Sequence, residues 1–178
     1  MLLSLDISTS STGYSIFDEK GSLLEIDYIG LSKVKCMYEK ANKVRLKLIE
    51  LKEKYNIDYI AVEENLQAFR PGLSSAKTLM TLARFNGIVC WICFELFSKK
   101  VEYLNVNNAR KSVDLKVDRK SKLNTKDQVK EWVKLKEPNI VWPTKILKSG
   151  PNKGKKVELS ECYDMADSYV IGKAYFAM

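Results

Sequence analysis

The sequence predicts an α/β fold built on one mixed, five-stranded sheet with helices packed against it. Two observations carry this expectation. Near the amino end, three short runs rich in β-branched and aromatic residues are separated by turn residues, the pattern of an antiparallel three-strand meander. After them, apolar runs alternate with long segments of helical periodicity, which adds parallel strands and covering helices. With 178 residues the chain is long enough to bury a substantial core. No internal repeat or linker divides it, so residues 1–178 read as a single domain.

The elements follow in order. Leu2, Leu3 and Leu5 make a first strand over about 2–6 that ends on the carboxylate Asp6. Ser8 to Gly13 is turn chemistry, and Tyr14, Ile16 and Phe17 belong to a second strand over about 12–18. Glu19-Lys20-Gly21-Ser22 turns the chain into a third strand over about 23–29. Val34, Met37, Ala41, Val44, Leu48 and Leu51 recur at helical spacing, which predicts an amphipathic helix over about 34–55. Asp58 to Val62 is a fourth strand that runs directly into Glu63-Glu64. Ser74 to Ser98 is a second helix, apolar enough to be expected as the buried one. Val101 to Val106 gives a fifth strand and Asn107 to Val113 a short helix. Residues 114–124 are lysine-rich and irregular, and Thr125 to Lys136 is helical. Pro143, Gly150, Pro151 and Gly154 make 138–159 a loop or hairpin, and a helix from about Ser160 to Phe176 closes the chain.

Composition narrows the chemistry. Thirty Lys and Arg against 22 Asp and Glu give a formal charge of +8 and a pI near 9.2, which points to a polyanionic partner, nucleic acid first. An anionic membrane surface would attract the chain too. There is no histidine, so proton transfer must use carboxylates, lysine, tyrosine or metal-bound water. Cys90-Trp91-Ile92-Cys93 has the spacing of a redox or zinc motif, but it lies in an apolar helical run without a second pair; buried core thiols are expected. This cysteine usage suits a reducing cytoplasm. No signal-peptide pattern opens the chain, and the longest apolar stretch, Gly87 to Phe97, is interrupted by Glu95 and reads as too short to span a bilayer. The expected protein is soluble and cytoplasmic, with no membrane partner.

Carboxylates stand at three stations: Asp6 at the end of the first strand, Glu63 at the end of the fourth, and Asp164 and Asp167 three apart on the last helix. Each station taken alone has an ordinary explanation, a rim acid or an acid at a helix amino end. Strand ends of an α/β sheet are where sites form, and four carboxylates converging there repel unless a cation neutralises them. An all-oxygen donor set selects a hard cation, Mg²⁺ or Mn²⁺. Two such ions about 4 Å apart are a standard device for in-line phosphodiester hydrolysis.

The segments "SLDISTSSTGYSIFD", "IAVEENLQAF", "NARKSV", "TKDQVKEWV" and "DMADSYVIGKAY" occur in the order and at the spacing of the RuvC-type Holliday-junction resolvases. The chain resembles that family, part of the RNase H-like or retroviral-integrase superfamily, over nearly its whole length. The resemblance implies a homodimeric, Mg²⁺-dependent nuclease (Mn²⁺ able to substitute) with two ions per site. Such an enzyme makes paired nicks in branched DNA, chiefly four-way junctions. Carried over by position, Asp6, Glu63, Asp164 and Asp167 would be metal ligands. Arg110 and Lys126 would lie near the scissile phosphate, and Lys126 would share in catalysis. Phe69, or less favourably Leu66, would stack on a base at the crossover, with Arg70 beside it. Where the family opens its first turn with Asp-Pro-Gly, this chain has Asp6-Ile7-Ser8, and its 138–159 segment is longer than a bacterial resolvase needs. Both departures point to a divergent phage- or virus-type member, acting in the cytoplasm of a bacterial host.

Two basic segments complete the picture. Arg110, Lys111, Lys116, Arg119, Lys120, Lys122 and Lys126 are set against only Asp114 and Asp118, and Lys145, Lys148, Lys153, Lys155 and Lys156 against no acid at all. Flanking a carboxylate site, they are expected to hold DNA phosphates without reading sequence. Two other readings compete. An actin- or sugar-kinase-like phosphotransferase also opens on an Asp and a Ser/Thr-Gly turn, but this chain lacks the length for its two domains and a second glycine-rich loop. A non-catalytic DNA-binding protein on the same fold is disfavoured by the presence of all four acids. For assembly, the apolar helix from Leu79 to Phe97 either supplies a twofold interface or is buried between layers.

Overall fold

The computed structural model describes residues 1–64 and 75–178. Strands β1 (Leu2–Ile7), β2 (Ser11–Phe17) and β3 (Leu23–Gly30) form the expected meander and lead into helix α1 (Met37–Lys54). Strand β4 (Tyr59–Glu63), helix α2 (Ala76–Phe97), strand β5 (Val101–Leu104) and helices α3 (Val106–Ser112) and α4 (Thr125–Lys136) follow. A two-stranded hairpin, β6 (Thr144–Ile146) and β7 (Lys156–Glu158), precedes the last helix, α5 (Cys162–Ala177). The main sheet has the order β3-β2-β1-β4-β5, antiparallel across β3, β2 and β1 and parallel across β1, β4 and β5.

Strand alternation divides the interior into two cores. Leu3, Leu5, Tyr14, Ile16, Ile60 and Val62 pack with Val44 and Leu48 of α1 and Phe85 and Val89 of α2. Leu2, Phe17 and Ala61 point to the opposite face and pack with Val129 and Val133 of α4 and Ala166, Tyr169 and Val170 of α5. The sheet is thus sandwiched, with α1 and α2 on one face and α4 and α5 on the other.

The helix expected to be buried is not the most buried one. Helix α5 has ten of its 16 residues buried, whereas α2 has seven of 22. The α2 residues Phe85, Val89, Cys90, Ile92, Cys93 and Phe97 face the core, while Met80, Trp91 and Phe94 are exposed. At 22 residues α2 is also long and apolar enough, by length and composition, to cross a membrane. The expectation that no apolar run reaches that length is corrected, since the helical run starts well before Gly87. Its apolar character is partly accounted for by core packing. Cys90 and Cys93 are core thiols: burial pushes both up from the ordinary cysteine range, which disfavours the thiolate a metal would need. Cys36, in contrast, is exposed.

Helix α5 lies unusually close to the sheet because small residues line the contact. Ser4 Oγ donates to the Ser168 carbonyl at 2.8 Å, and the Ser15 and Ser168 hydroxyls are hydrogen-bonded at 2.8 Å. A Cβ on Gly13 would stand 2.0 Å from the Asp164 carbonyl oxygen, and one on Gly172 would stand 2.1 Å from the Phe17 ring. Gly13 faces backbone, which cannot swing aside. Gly13→Ala should therefore push the start of α5 off β2 and destabilise the fold by about 2–3 kcal/mol. Thermal denaturation should show a Tm lower by roughly 5–10 °C; an unchanged Tm would contradict the close contact.

Candidate active site

Pleat and register bring two acids together before any helix is considered. Leu2 and Ser4 face α5, so Asp6, of the same parity on β1, does as well. Ala61 faces α5, and so does Glu63 two residues on. The parallel ladder between β1 and β4 ends with Leu5 opposite Val62. Asp6 and Glu63 are the next residues on these adjacent strands, about 4.8 Å apart in the hydrogen-bonding direction. Asp167 completes the set from α5, and one carboxylate oxygen from each of Asp6, Glu63 and Asp167 lies within 4.8 Å of the others. Asp6 and Glu63 are partly buried and Asp167 is buried.

Asp164 sits one turn earlier on the same side of α5 and stands apart from this trio. Ser11 Oγ donates to its Oδ2, which ties the amino end of α5 to the start of β2. Its charge still reaches Asp6.

Crowding shows in the electrostatics. Burial, and then Glu63, Asp167 and Asp164, raise the Asp6 carboxyl well above the usual carboxylate range. Burial and the neighbouring Asp167 push Glu63 up to about 7. Burial takes Asp164 to about 7 as well, against the pull of Lys126. Asp167 is raised by burial and partly relieved by Arg110, whose Nη2 donates to its Oδ1 at 3.3 Å. Arg110 Nε is buried and has no hydrogen-bond partner among the described residues. Lys126, in the first turn of α4, acts on all four acids electrostatically and lies 5.7 Å from the centroid of the Tyr163 ring. Two cations thus face the trio and the nearby Asp164.

Beside the acids opens a cleft of about 510 Å³, lined by Arg110, Lys111, Lys116 and Arg119 together with Asn107, Asp114 and Thr125. Four of the basic residues singled out in the sequence share this one cavity. Lys120 and Lys122 are exposed on the turn that follows and do not line it. The segment 114–124, irregular in sequence, is pinned by Gln128 of α4. Gln128 Oε1 accepts from the Asp118 amide at 2.8 Å, and its Nε2 donates to the Asp118 and Leu123 carbonyls at 2.9 and 2.8 Å. Neither Ser11 nor Gln128 stood out in the sequence. Ser11 was hidden in a serine-rich turn, and Gln128 is an ordinary polar residue on a helix. Leu66, Phe69 and Arg70 lie outside the described residues.

The arrangement defines a class: an α/β domain whose central strand ends and covering helix gather carboxylates beside a basic cleft. Three carboxylates with all-oxygen donors, each carboxyl raised by burial and two of them further by their acidic neighbours, suit a hard divalent cation. The fold itself is the RNase H-like fold of the RuvC-type resolvases. Over 99% of this chain and 92% of that one, it matches Thermus thermophilus RuvC in complex with Holliday junction substrate, with a TM-score of 0.65 and 14% identity. Another T. thermophilus RuvC structure matches with a TM-score of 0.60 and 15% identity, covering 99% of this chain and 93% of that one. The yeast mitochondrial Holliday junction resolvase Ydc2 matches with a TM-score of 0.54 and 16% identity, covering 99% and 77%. No protein-family model matches the sequence, and no curated protein matches it.

The raised acids make a signed prediction about pH. A carboxyl whose folded pKa exceeds its unfolded value stabilises the fold at low pH, and that contribution is lost as pH rises toward the folded pKa. With chelator present, stability should fall between about pH 4.5 and 7, on the order of 3 kcal/mol from Glu63 alone at about 1.4 kcal/mol per pKa unit. Excess Mg²⁺ should restore it at pH 8, and Asp6→Asn should flatten the chelated profile. Denaturant melts in chelator that are level from pH 5 to 8 would contradict the crowding.

Proposed function

We propose that this chain is a divalent-metal-dependent, structure-selective DNA endonuclease that resolves four-way junctions by paired nicks. The observation that carries the reading is the convergence of Asp6, Glu63 and Asp167 beside a basic cleft. It is supported by a fold shared with T. thermophilus RuvC in complex with Holliday junction substrate and with the yeast mitochondrial Holliday junction resolvase Ydc2.

In this reading Asp6, Glu63 and Asp167 hold the cation, with Asp164 as the outer carboxylate for a second ion. When bound, Mg²⁺ (or Mn²⁺ in its place) lowers the pKa of a water nucleophile and stabilises charge on the reacting phosphate. The chain's own side chains supply the rest. Arg110, held against Asp167 with its Nε unpartnered, presents a cation at the mouth of the acid cluster. Lys126 adds a second positive charge on the α4 side, so a phosphate entering between them meets attraction from both flanks. Lys111, Lys116 and Arg119 hold the adjacent backbone, and Lys120 and Lys122 extend the positive surface beyond the cleft. Such contacts position a duplex without selecting a sequence. Phe69 and Arg70 are the proposed contacts at the crossover.

Two nicks need two acid clusters, and one chain holds a single one among its described residues. We assign the dimer contact to the outer stripe of α2. Met80, Trp91 and Phe94 are 57%, 61% and 56% exposed and share one helical face with Gly87, where an added Cβ would meet nothing within 4 Å. A second copy of the same stripe would bury these side chains across a twofold axis.

Incubation with labelled four-way, three-way and linear DNA tests the reading. Mg²⁺ or Mn²⁺ should give symmetric nicks in the four-way substrate and chelator none. Asp6→Asn should lower cleavage at least about 100-fold and bind the junction as well as wild type, since it removes a ligand and a repelling charge. Light scattering should give twice the 20.4 kDa chain mass. Cleavage in chelator, or Asp6→Asn cutting near the wild-type rate, would overturn the assignment.

A further inference from the structure

We propose that the β6–β7 hairpin is a second DNA contact, a lysine arm that grips the phosphate backbone of a duplex. Glu158 serves as the residue that sets its direction. The inference rests on reading the acid cluster as a DNA-cutting centre. It concerns a different element, outside the main sheet and outside the basic cleft.

The tip is an ordered, one-signed structure. Lys145, Lys148, Lys153, Lys155 and Lys156 are all exposed, and no acid lies between them. None of the five forms an ion pair among the described residues. The backbone closes the tip tightly: the Leu147 amide donates to the Lys155 carbonyl at 3.0 Å, and the Gly154 amide donates to the Leu147 carbonyl at 2.8 Å. Five like charges on one short hairpin repel each other, and a polyanion relieves that repulsion. Lysine gives a point charge that suits phosphate, whereas reading base edges favours the planar fork of arginine. Ile146 is the one exposed large apolar residue between Lys145 and Lys156, and residues 148–156 include no aromatic or large apolar side chain, fewer anchors than a membrane-inserting loop carries.

The root is held by a network that a merely solubilising loop would not need. Glu158 accepts from Lys130 Nζ at 2.8 Å and from Lys134 Nζ at 2.7 Å, one through each carboxylate oxygen. Lys130 is only 8% exposed and lies 4.8 Å from the centroid of the Tyr163 ring. The Tyr163 hydroxyl in turn donates to Asp127 Oδ1 at 2.7 Å, and Lys126 stands over the other part of the same environment, 5.7 Å from the ring. Tyr163 immediately precedes Asp164. The arm is therefore coupled through Lys130 and Tyr163 to the helix that carries two of the acids. Part-buried ion pairs add little net stability, and here they tie the root of the arm to α4, with Lys130 carrying the contact on to Tyr163 of α5.

Charge and direction are separable by experiment on the full-length protein. Equilibrium binding to a four-way junction, measured across salt concentrations with Ca²⁺ or chelator to prevent turnover, reads both. Lys148→Glu with Lys153→Glu should reduce the magnitude of the log–log salt slope by about 2, one phosphate contact per lysine. Glu158→Gln keeps every lysine, so it should weaken binding at least threefold with the slope unchanged. Combined with the tip double variant it should cost less than it does alone, because fewer lysines then depend on the arm's direction. Unaltered far-UV spectra and Tm for the tip variants establish that folding is intact. If wild type binds and the tip variants bind identically, the arm is overturned while the nuclease reading stands. If wild type binds no junction, both fall. Sedimentation with phosphatidylglycerol vesicles that is lost in the tip variants, with DNA binding unchanged, would assign the arm to a membrane and overturn the proposal.

Discussion

The short distance between α5 and the sheet governs everything else in this molecule. A glycine in β2, a glycine in α5 and serines on both sides let a helix backbone settle where a Cβ would collide. That approach carries Asp167 over the strand ends and brings Asp164 within reach of Ser11. With ordinary side chains at these positions, α5 would ride farther out and carry Asp167 away from Asp6 and Glu63. The packing constraint and the candidate site are thus one feature seen from two directions.

The same feature creates an electrostatic problem that the rest of the surface answers. Crowded, desolvated carboxylates destabilise the fold at neutral pH, and among the described residues Arg110 and Lys126 offset them. Concentrating unfavourable charge in one place is the mark of a site tuned for a ligand rather than for stability. The surplus of positive charge lies elsewhere, in the 114–124 turn held by Gln128 and in the hairpin held by Glu158. Both basic segments are anchored through α4, the helix that also bears Lys126. The positive surface and the acids are therefore linked through α4 and α5, whose contact forms part of the second core.

Much of this was legible in the sequence because it rests on short-range rules. The meander follows from turn residues between β-branched runs, and α1 from the spacing of Val44, Leu48 and Leu51. Asp6 and Glu63 were visible because each ends an otherwise apolar strand. The exception was tertiary. Asp164 and Asp167 share a helix face, so spacing alone made them equivalent, yet only Asp167 joins the trio; Ser11 takes the other. Burial of α5 over α2 was hidden for a related reason. Apolar content marks α2 as the interior helix, whereas small side chains allow α5 to be enclosed more fully. The order in the two basic segments was invisible because Gln128 and Glu158 act at a distance, through bonds that no local pattern announces.

The central claim is that Asp6, Glu63 and Asp167 form a cation site because the sheet and α5 force their oxygens together. Anomalous diffraction from crystals soaked in Mn²⁺ near pH 8 tests it most directly. The account predicts an anomalous peak bonded to one oxygen of each of the three carboxylates, and its loss in Asp6→Asn crystals. Mn²⁺ density confined to other acids, with these three carboxylates unliganded, would contradict it.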